Sequence, residues 1–434
     1  MRVPFFIRWG FLFLFVFMAW PTQAEEQAPT LKECYRLALK ESETIAIQTK
    51  VIEEAEGRFL QSLSGIMPDV SFVLSQKRQD GTKGGSGFTL REIPERRFAF
   101  SQPLFSGFKE FAAMASSVAE KRRRSHEKRR AEELLFVDVV DAFYFFLRYQ
   151  DDAETLSVIH QSLLERVKEL KERQELGRSR ASEVAALKAR LNRIEADLEQ
   201  TQGEGDLARQ LLEFLTGREI AAVRDDTPAA ISLFLEENYL AQKDQRSDVQ
   251  AAFEAVRQAQ KNLTVARAGF FPEVTMDGNS YEKRVGNSAG VDWDVTLTVD
   301  VPIFEGTEHF GAIKEAKAIA GQEELRYQQL KRQVELEIKN AYTRAQVALR
   351  KQTALRKALQ AAEENYNLQL EDYRKNLVNN LDVLQALEDL EEMRRSLTAA
   401  QNETKRLWWN LQVISGRLDV PFGETLGTGG NVNR

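Results

Sequence analysis

The chain has 434 residues, with 60 Lys and Arg against 66 Asp and Glu, and one cysteine. A net charge of −6 argues against general nucleic-acid binding, and a lone Cys34 excludes an intramolecular disulfide and multi-cysteine metal motifs. A mean hydropathy of −0.42 excludes a polytopic helical membrane protein, and 10 prolines with 24 glycines leave room for long uninterrupted helices.

Residues 1–24 read as a secretory signal. Arg2 and Arg8 give the positive start, Gly10 to Trp20 the apolar stretch, and Ala24 a small residue at a cleavage point. The alternative, an uncleaved anchor helix, is disfavoured because Phe11–Trp20 is too short to span a bilayer. Cys34 lies ten residues beyond the cut, after Lys32-Glu33, which argues against lipidation and for a small buried residue.

The remainder is one pattern written twice. Gly65-Ile66-Met67-Pro68-Asp69-Val70 matches Gly269-Phe270-Phe271-Pro272-Glu273-Val274 at an offset of 204. Pro103-Leu104-Phe105-Ser106-Gly107 matches Pro302-Ile303-Phe304-Glu305-Gly306 at an offset of 199, and this offset holds through Leu215-Thr216-Gly217 and Ile414-Ser415-Gly416. The first repeat spans 25–217 and the second 235–416. A linker, 218–234, separates them, and a Gly-rich polar tail, 417–434, is expected to be disordered.

Each repeat opens with a stretch of good helix formers, 31–64 and 235–268. Each stretch runs into a glycine suited to a left-handed helix end and then Pro68 or Pro272, which cannot continue a helix. Alternating strands follow. Val70, Phe72 and Leu74 form one face of the first, and Phe98 and Phe100 alternate with Arg97, Ala99 and Ser101 in the second. The clearest strand is the fourth, where Val291, Trp293, Val295, Leu297, Val299 and Val301 alternate with Asp292, Asp294, Thr296, Thr298 and Asp300. One face in lipid and one in water would produce this pattern; so would a soluble sandwich strand with its apolar side on a core. Polar loops at Asp80–Gly87 and Glu282–Gly290 join the strands of each pair.

After Gly107 and Gly306 come two proline-free stretches, 108–176 and 307–375. As helices each would be about 100 Å long, too long for a globular domain. Breaks at Gly177–Ala181 and Asn376–Asn380 precede return helices with 3/4 apolar spacing. One seam runs Val184, Leu187, Leu191, Ile194, Leu198; the other Val383, Ala386, Leu390, Met393, Leu397, the signature of coiled coils.

Two hairpins supply only four strands, too few to enclose a lumen, and an open sheet edge cannot sit in lipid. Copies must share one barrel. Two would give eight strands filled by side chains and three would give twelve with room for water; inward Asp and Thr favour three. The fold class expected is therefore α+β, mostly long helical coiled coils with four transmembrane strands per protomer, and a trimer forming a twelve-stranded barrel above a helical barrel.

Across essentially the whole mature sequence the chain resembles the TolC-like outer-membrane efflux proteins. The resemblance rests on the two repeats, the Gly-x-x-Pro-x-Val strand starts, the Pro-[Leu/Ile]-Phe-x-Gly exits and the [Leu/Ile]-[Thr/Ser]-Gly helix ends. It implies a homotrimer in the outer membrane, reaching through the periplasm to a periplasmic adaptor and an inner-membrane pump of the RND or ABC type, in efflux or type I secretion. It also implies a channel closed at the helical tips that opens when the inner coiled coils relax outward. No enzyme activity, cofactor or nucleic-acid partner is implied.

The family's second tip carries a Tyr, a Gly and an aspartate pair one turn apart. Here Tyr373 matches the Tyr, Asn376 stands for the Gly, Asp382 matches the first acid and Gln385 replaces the second. Asp382 is either part of a lumenal ring or a helix-start acid held by the dipole. At the first tip Gly177 fits the turn, and Arg178, Arg180 and Glu183 are candidates for adaptor or tip-to-tip contacts. The expected pore lining is Asp292, Asp294, Thr296, Thr298 and Asp300, and the strand–helix junctions are Pro68, Pro103, Gly107, Pro272, Pro302 and Gly306.

Other signals weigh less. The basic run Lys121–Arg130 reads as a solvated outer helix face, with anionic lipid or cell wall as the functional alternative. His126, His160 and His309 are scattered, so no metal site is indicated, and Gly81–Gly87 lacks the ending of a phosphate loop. A soluble periplasmic coiled-coil scaffold is the rival from another class. A secreted hydrolase would need a nucleophile with its base, and none emerges.

Overall fold

The computed structural model describes residues 28–79, 90, 92–177, 179–285, 289–375 and 377–417. The signal segment, most of the first polar loop, Arg178, Asn376 and the tail beyond residue 417 lie outside the described residues.

The repeat is visible element by element. In the first half α1 (Leu31–Glu41) and α2 (Glu43–Ser64) lead to β1 (Asp69–Arg78) and β2 (Glu92–Ser106), then α3 (Lys109–Glu175) and α4 (Ala181–Thr216). In the second half α5 (Glu236–Leu240), a short 3-10 turn (Lys243–Gln245) and α6 (Ser247–Ala268) lead to β3 (Glu273–Lys283) and β4 (Trp293–Asp300), then α7 (Glu308–Arg374) and α8 (Asn380–Ile414). Helices α3 and α7 are each 67 residues, about 100 Å at 1.5 Å per residue.

The opening stretch of each repeat is not the single helix expected. In the first, Ser42 leaves helical geometry (φ −65, ψ 110). It donates its backbone N–H to Ala38 O, closing α1, and its side chain accepts from Ile45 N–H, starting α2. One residue caps two helices. Arg246, 204 positions on, is extended at the start of α6.

Gly65 and Gly269 also differ from expectation, being right-handed (φ −63 and −58). Their need is for space. A Cβ on Gly269 would sit 2.6 Å from the His309 ring, and one on Gly65 would sit 3.2 Å from Glu110 Cγ. Among the described residues the left-handed glycines are Gly107 and Gly306 at the strand exits, Gly177 at the first tip, and Gly217 and Gly416 after the return helices.

The four strands form one antiparallel sheet in the order β1-β2-β3-β4, so the two hairpins are joined by β2 pairing with β3. The register puts Val70 opposite Phe100, Phe100 opposite Gly278 and Gly278 opposite Val295. Side chains alternate along a strand, so Val70, Phe72, Leu74, Phe98, Phe100, Met276, Val295, Leu297 and Val299 share one face. Strand β2 runs past Pro103 to Ser106, beyond the exit expected at that proline, with register shifts at Arg96/Arg97 and Pro103/Phe105.

The helical core lies midway along the bundle. Tyr35, Phe136, Val139, Phe143, Tyr144 and Leu212 are buried together, and Phe136 meets Trp409 edge-on at 5.6 Å. Cys34 is fully buried here, and burial pushes its thiol up to about 12. The linker packs on the same core through Ile220 and Val223. Thr227 exchanges a 2.8 Å hydrogen bond with Tyr144 and accepts from Trp409 Nε1. Arg417, expected to belong to the disordered tail, stacks its guanidinium over Phe234 and Tyr239 at 4.6 and 4.9 Å.

Candidate channel wall and periplasmic tips

Among the described residues no core lies behind the apolar face of the sheet. Trp293, Val295, Leu297 and Val299 are 69, 59, 62 and 57% exposed. A sandwich strand would hide these side chains. Val70, Phe72, Leu74 and Phe98 are equally open, so the face continues across the sheet. An apolar patch of this extent marks a surface meant for lipid or another chain.

The opposite face is polar and internally bonded. Asp294 accepts from Asn279 Nδ2 and from Tyr281 Oη, both at 2.8 Å. Arg284 lies 3.6 Å from the same carboxylate, with its guanidinium 4.1 Å from the Tyr281 ring centre. Ser101 Oγ donates to Asp277 Oδ1 at 2.7 Å, tying β2 to β3. Thr296 faces Asp277 and Thr298 faces Thr275 by register, and Asp300 pairs with Glu273. Asp292 lies just outside β4, and its carbonyl accepts from Tyr281 N–H at 2.8 Å. Thus Asp294, Thr296, Thr298 and Asp300 share one wall, with Asp292 at its end. Sequence reading missed Asp277, Asn279, Tyr281 and Arg284 on that wall. For the three on β3 the only signal was alternation with Met276, Gly278 and Ser280, a weakly apolar set; Arg284, past the end of the strand, had none.

At the far end of the long helices the two tips come together. Arg180, Glu183, Asn379, Leu381 and Leu384 line one cleft between the starts of α4 and α8. Glu183 accepts from Ser179 Oγ at 2.7 Å. Asp382 is exposed and sits in a capping box: its Oδ2 accepts from Asn379 N–H, and Asn379 Oδ1 accepts from Asp382 N–H, each at 3.1 Å. The carboxylate is therefore engaged with the helix start. Gln385 points along its own helix, donating to Asp389 Oδ1 at 3.2 Å. Tyr373 lies under the Arg166 guanidinium, 5.7 Å from its ring centre. Leu176, Leu377 and Leu381, unnoticed in the sequence, are exposed at these tips.

Above the tips α8 is fastened to the first repeat by charge. Arg190 on α4 pairs with both Glu388 and Glu391. Arg395 forks onto Asp152 at 2.6 and 2.8 Å, Asn402 donates to Asp151 at 3.0 Å and Arg406 donates to Asp141 at 3.0 Å. Burial raises the Glu391 carboxyl and the Arg190 charge opposes that rise. The basic run on α3 is largely neutralised: Lys121 pairs with Glu56, Arg123 and Arg124 with Glu127, Lys128 with Glu132, and Arg130 with Glu133. That favours its reading as a solvated face. Among the described residues no helix is long and apolar enough to cross a membrane, and no group of His, Cys, Asp and Glu could hold a metal ion.

Residues 241–417, most of the second repeat, match the family model for outer membrane efflux proteins. The second repeat therefore carries an outer membrane efflux protein domain. The cation efflux system protein CusC of Escherichia coli K12 is 25% identical over 396 residues, covering 83% of this chain and 80% of that one. The outer membrane protein TolC of Vibrio cholerae is 24% identical over 233 residues, so the chain spans about half of that relative, 52%. The crystal structure of VceC from Vibrio cholerae superposes with a TM-score of 0.76 over 89% of this chain and 96% of that one, at 21% identity. CusC crystal structures give 0.76 over 89% and 91%, at 17% identity. The chain therefore has the fold of outer-membrane channels. It is an outer-membrane protein reaching into the periplasm, and the efflux proteins it matches are channels, which sets aside the soluble scaffold and the hydrolase.

Proposed function

We propose that three copies of this chain form a passive, water-filled conduit for efflux or secretion, gated at the helical tips. One observation carries this reading: a four-stranded sheet presents an uncovered apolar face, a polar opposite face and two open edges. In a bilayer each unpaired backbone group would cost several kcal/mol, so β1 and β4 must find partners in other copies. Three copies give twelve strands, wide enough for water along the Asp and Thr wall. The long helices would then continue the lumen through the periplasm. A periplasmic adaptor would meet the exposed tips around Arg180, Glu183, Leu377 and Leu381, and an inner-membrane pump would supply the energy. Asp382, Tyr373 and Gln385 would line the approach to the constriction.

Fractionation tests the core of this reading. The protein should sit in the outer membrane, migrate as a heat-sensitive trimer, and conduct in planar bilayers. A monomer in detergent, or a trimer that never conducts, would refute it.

A further inference from the structure

From the internal repeat we infer the register of the seam between copies: β4 pairs with β1 of the next copy so that Thr298 faces Ser75, Val299 faces Leu74 and Phe304 faces Val70. This rests on the multi-copy barrel proposed above and adds its residue-level geometry.

The chain already contains one such seam. Strand β2, the second strand of the first repeat, pairs with β3, the first strand of the second. The contact between β4 and β1 of the next copy is the same contact one repeat later. Adding 199 to each β2 residue and subtracting 204 from each β3 residue carries one onto the other. Ala99–Asn279 becomes Thr298–Ser75, Phe100–Gly278 becomes Val299–Leu74, and Phe105–Val274 becomes Phe304–Val70.

Three observations support the transfer. The first is facing. The mapping sets the exposed apolar side chains of β4 against those of β1, although nothing in the two offsets requires it, and a one-residue slip would set them against the polar wall.

The second is a missing contact. At Gly107 a Cβ would meet Phe271 at 2.7 Å and the Ala268 carbonyl at 2.9 Å, because this left-handed turn is pressed on the end of α6. Gly306 makes the same left-handed turn (φ +67) with nothing within 4 Å, and beside it Ile303 and Phe304 are 94 and 86% exposed. The offsets bring Met67 of the next copy to the place of Phe271, and Met67 is 55% exposed here. The β4–α7 turn is built for a neighbour absent from the single chain.

The third is charge. Glu133 on α3 accepts from Ser247 on α6. The same step places Arg332 on α7 against Glu43 at the start of α2 of the next copy, a cation and an anion that are both exposed in the single chain. The barrel seam thus continues into the helices with complementary charge, and α2 and α6, each 22 residues, align end to end under the offset.

Paired cysteines in the full chain test the register. Thr298→Cys with Ser75→Cys, oxidised in native outer membranes, should give covalent dimers and trimers on a non-reducing gel, with neither single variant doing so. Thr298→Cys with Val73→Cys or with Lys77→Cys, slips of two that keep the facing, should crosslink at least tenfold less. Crosslinks at a slipped pair but not at Ser75 would overturn the register and leave the shared barrel standing. A trimeric particle with no crosslink from any pair would do the same, whereas a monomeric particle would remove the conduit reading itself. Charge reversal is the second test, independent of thiol geometry. Arg332→Glu and Glu43→Arg should each lower the temperature at which the trimer dissociates, and combining them should recover most of the shift. A double variant no better than the worse single would overturn the helical half of the seam.

Discussion

Leu297→Arg is the sharpest test of which face of the sheet meets lipid. The outward residues of β4 and its flanks run from Val291 to Val301. At about 3.3 Å per residue and a tilt near 40°, that run covers about 25 Å of height, the thickness of the apolar band of such barrels. Leu297 then lies about 10 Å from the helix-side end, within roughly 3 Å of the midplane. It is 62% exposed, and its register partner Met276 offers no counter-charge. An arginine there should cost about 2–4 kcal/mol per protomer, while Val291→Arg at the band's edge should cost about 0–1. Thr296→Arg faces the polar wall opposite Asp277 and should leave assembly intact while changing conductance. The assay is the urea midpoint of refolding into vesicles, with single-channel current measured on the same samples. Equal losses for Leu297→Arg and Thr296→Arg would refute the facing, and a Val291→Arg loss as large as that at Leu297 would refute the depth.

Two further expectations follow from the geometry. Asp382→Ala removes one half of a capping box and Asn379→Ala the other, each costing the helix start about 1 kcal/mol. If Asp382 gates through its charge, only its own variant should raise leak or reduce cation preference in planar bilayers; if it acts through the cap, both should raise leak alike, and unchanged current in both would remove it from the gate. Arg246 is 1% exposed and bonds Asp248 at 2.6 and 3.0 Å, Glu337 at 2.9 Å and the Ile414 carbonyl at 3.0 Å. Arg246→Ala strands those partners and should cost about 3–5 kcal/mol in a denaturation midpoint, with Arg246→Lys failing to restore the forked contact; a loss under about 1 kcal/mol would show the site to be wet.

Much of this was legible in the residues because it is periodic. The offset of 199 matched two helices of 67 residues, and the 3/4 spacing marked a seam in α8 whose Val383, Ala386, Leu390, Leu397 and Ala400 are buried. Strand β4 was plain because every outward residue is large and apolar; β3 was not, because Gly278 and Ser280 hold outward places. The break at Ser42 was hidden between two glutamates that favour a helix, and only the cap geometry shows it. Gly65 and Gly269 illustrate a subtler failure. The residue type was informative, but a neighbour's side chain and not a dihedral angle demands it. The Arg190, Arg395 and Arg406 contacts left no trace because they depend on how α8 is placed along α3 and α4, which no spacing within one helix encodes.

The two repeats share a template yet are unequally finished. Helix α3 buries residues along most of its length, from Ala112 to Leu170, whereas α7 buries none of its described residues before Val334. The difference is one of neighbours. Helix α3 has α2, α4, α6 and α8 against it, whereas α7 meets α6 and α8 and, briefly, the short α5 segment. Phe310 and Leu325 are left 68 and 72% exposed on the uncovered part. A soluble chain would pay for such a stripe in aggregation, and a chain selected to stand alone would carry polar residues there. The proposed sharing of copies explains the inequality without an extra assumption: by the repeat, the place that α6 occupies on α3 is taken on α7 by α2 of the next copy. Exposed Phe310 and Leu325 and the open edge of β4 then have one cause, since all would be covered by the next copy.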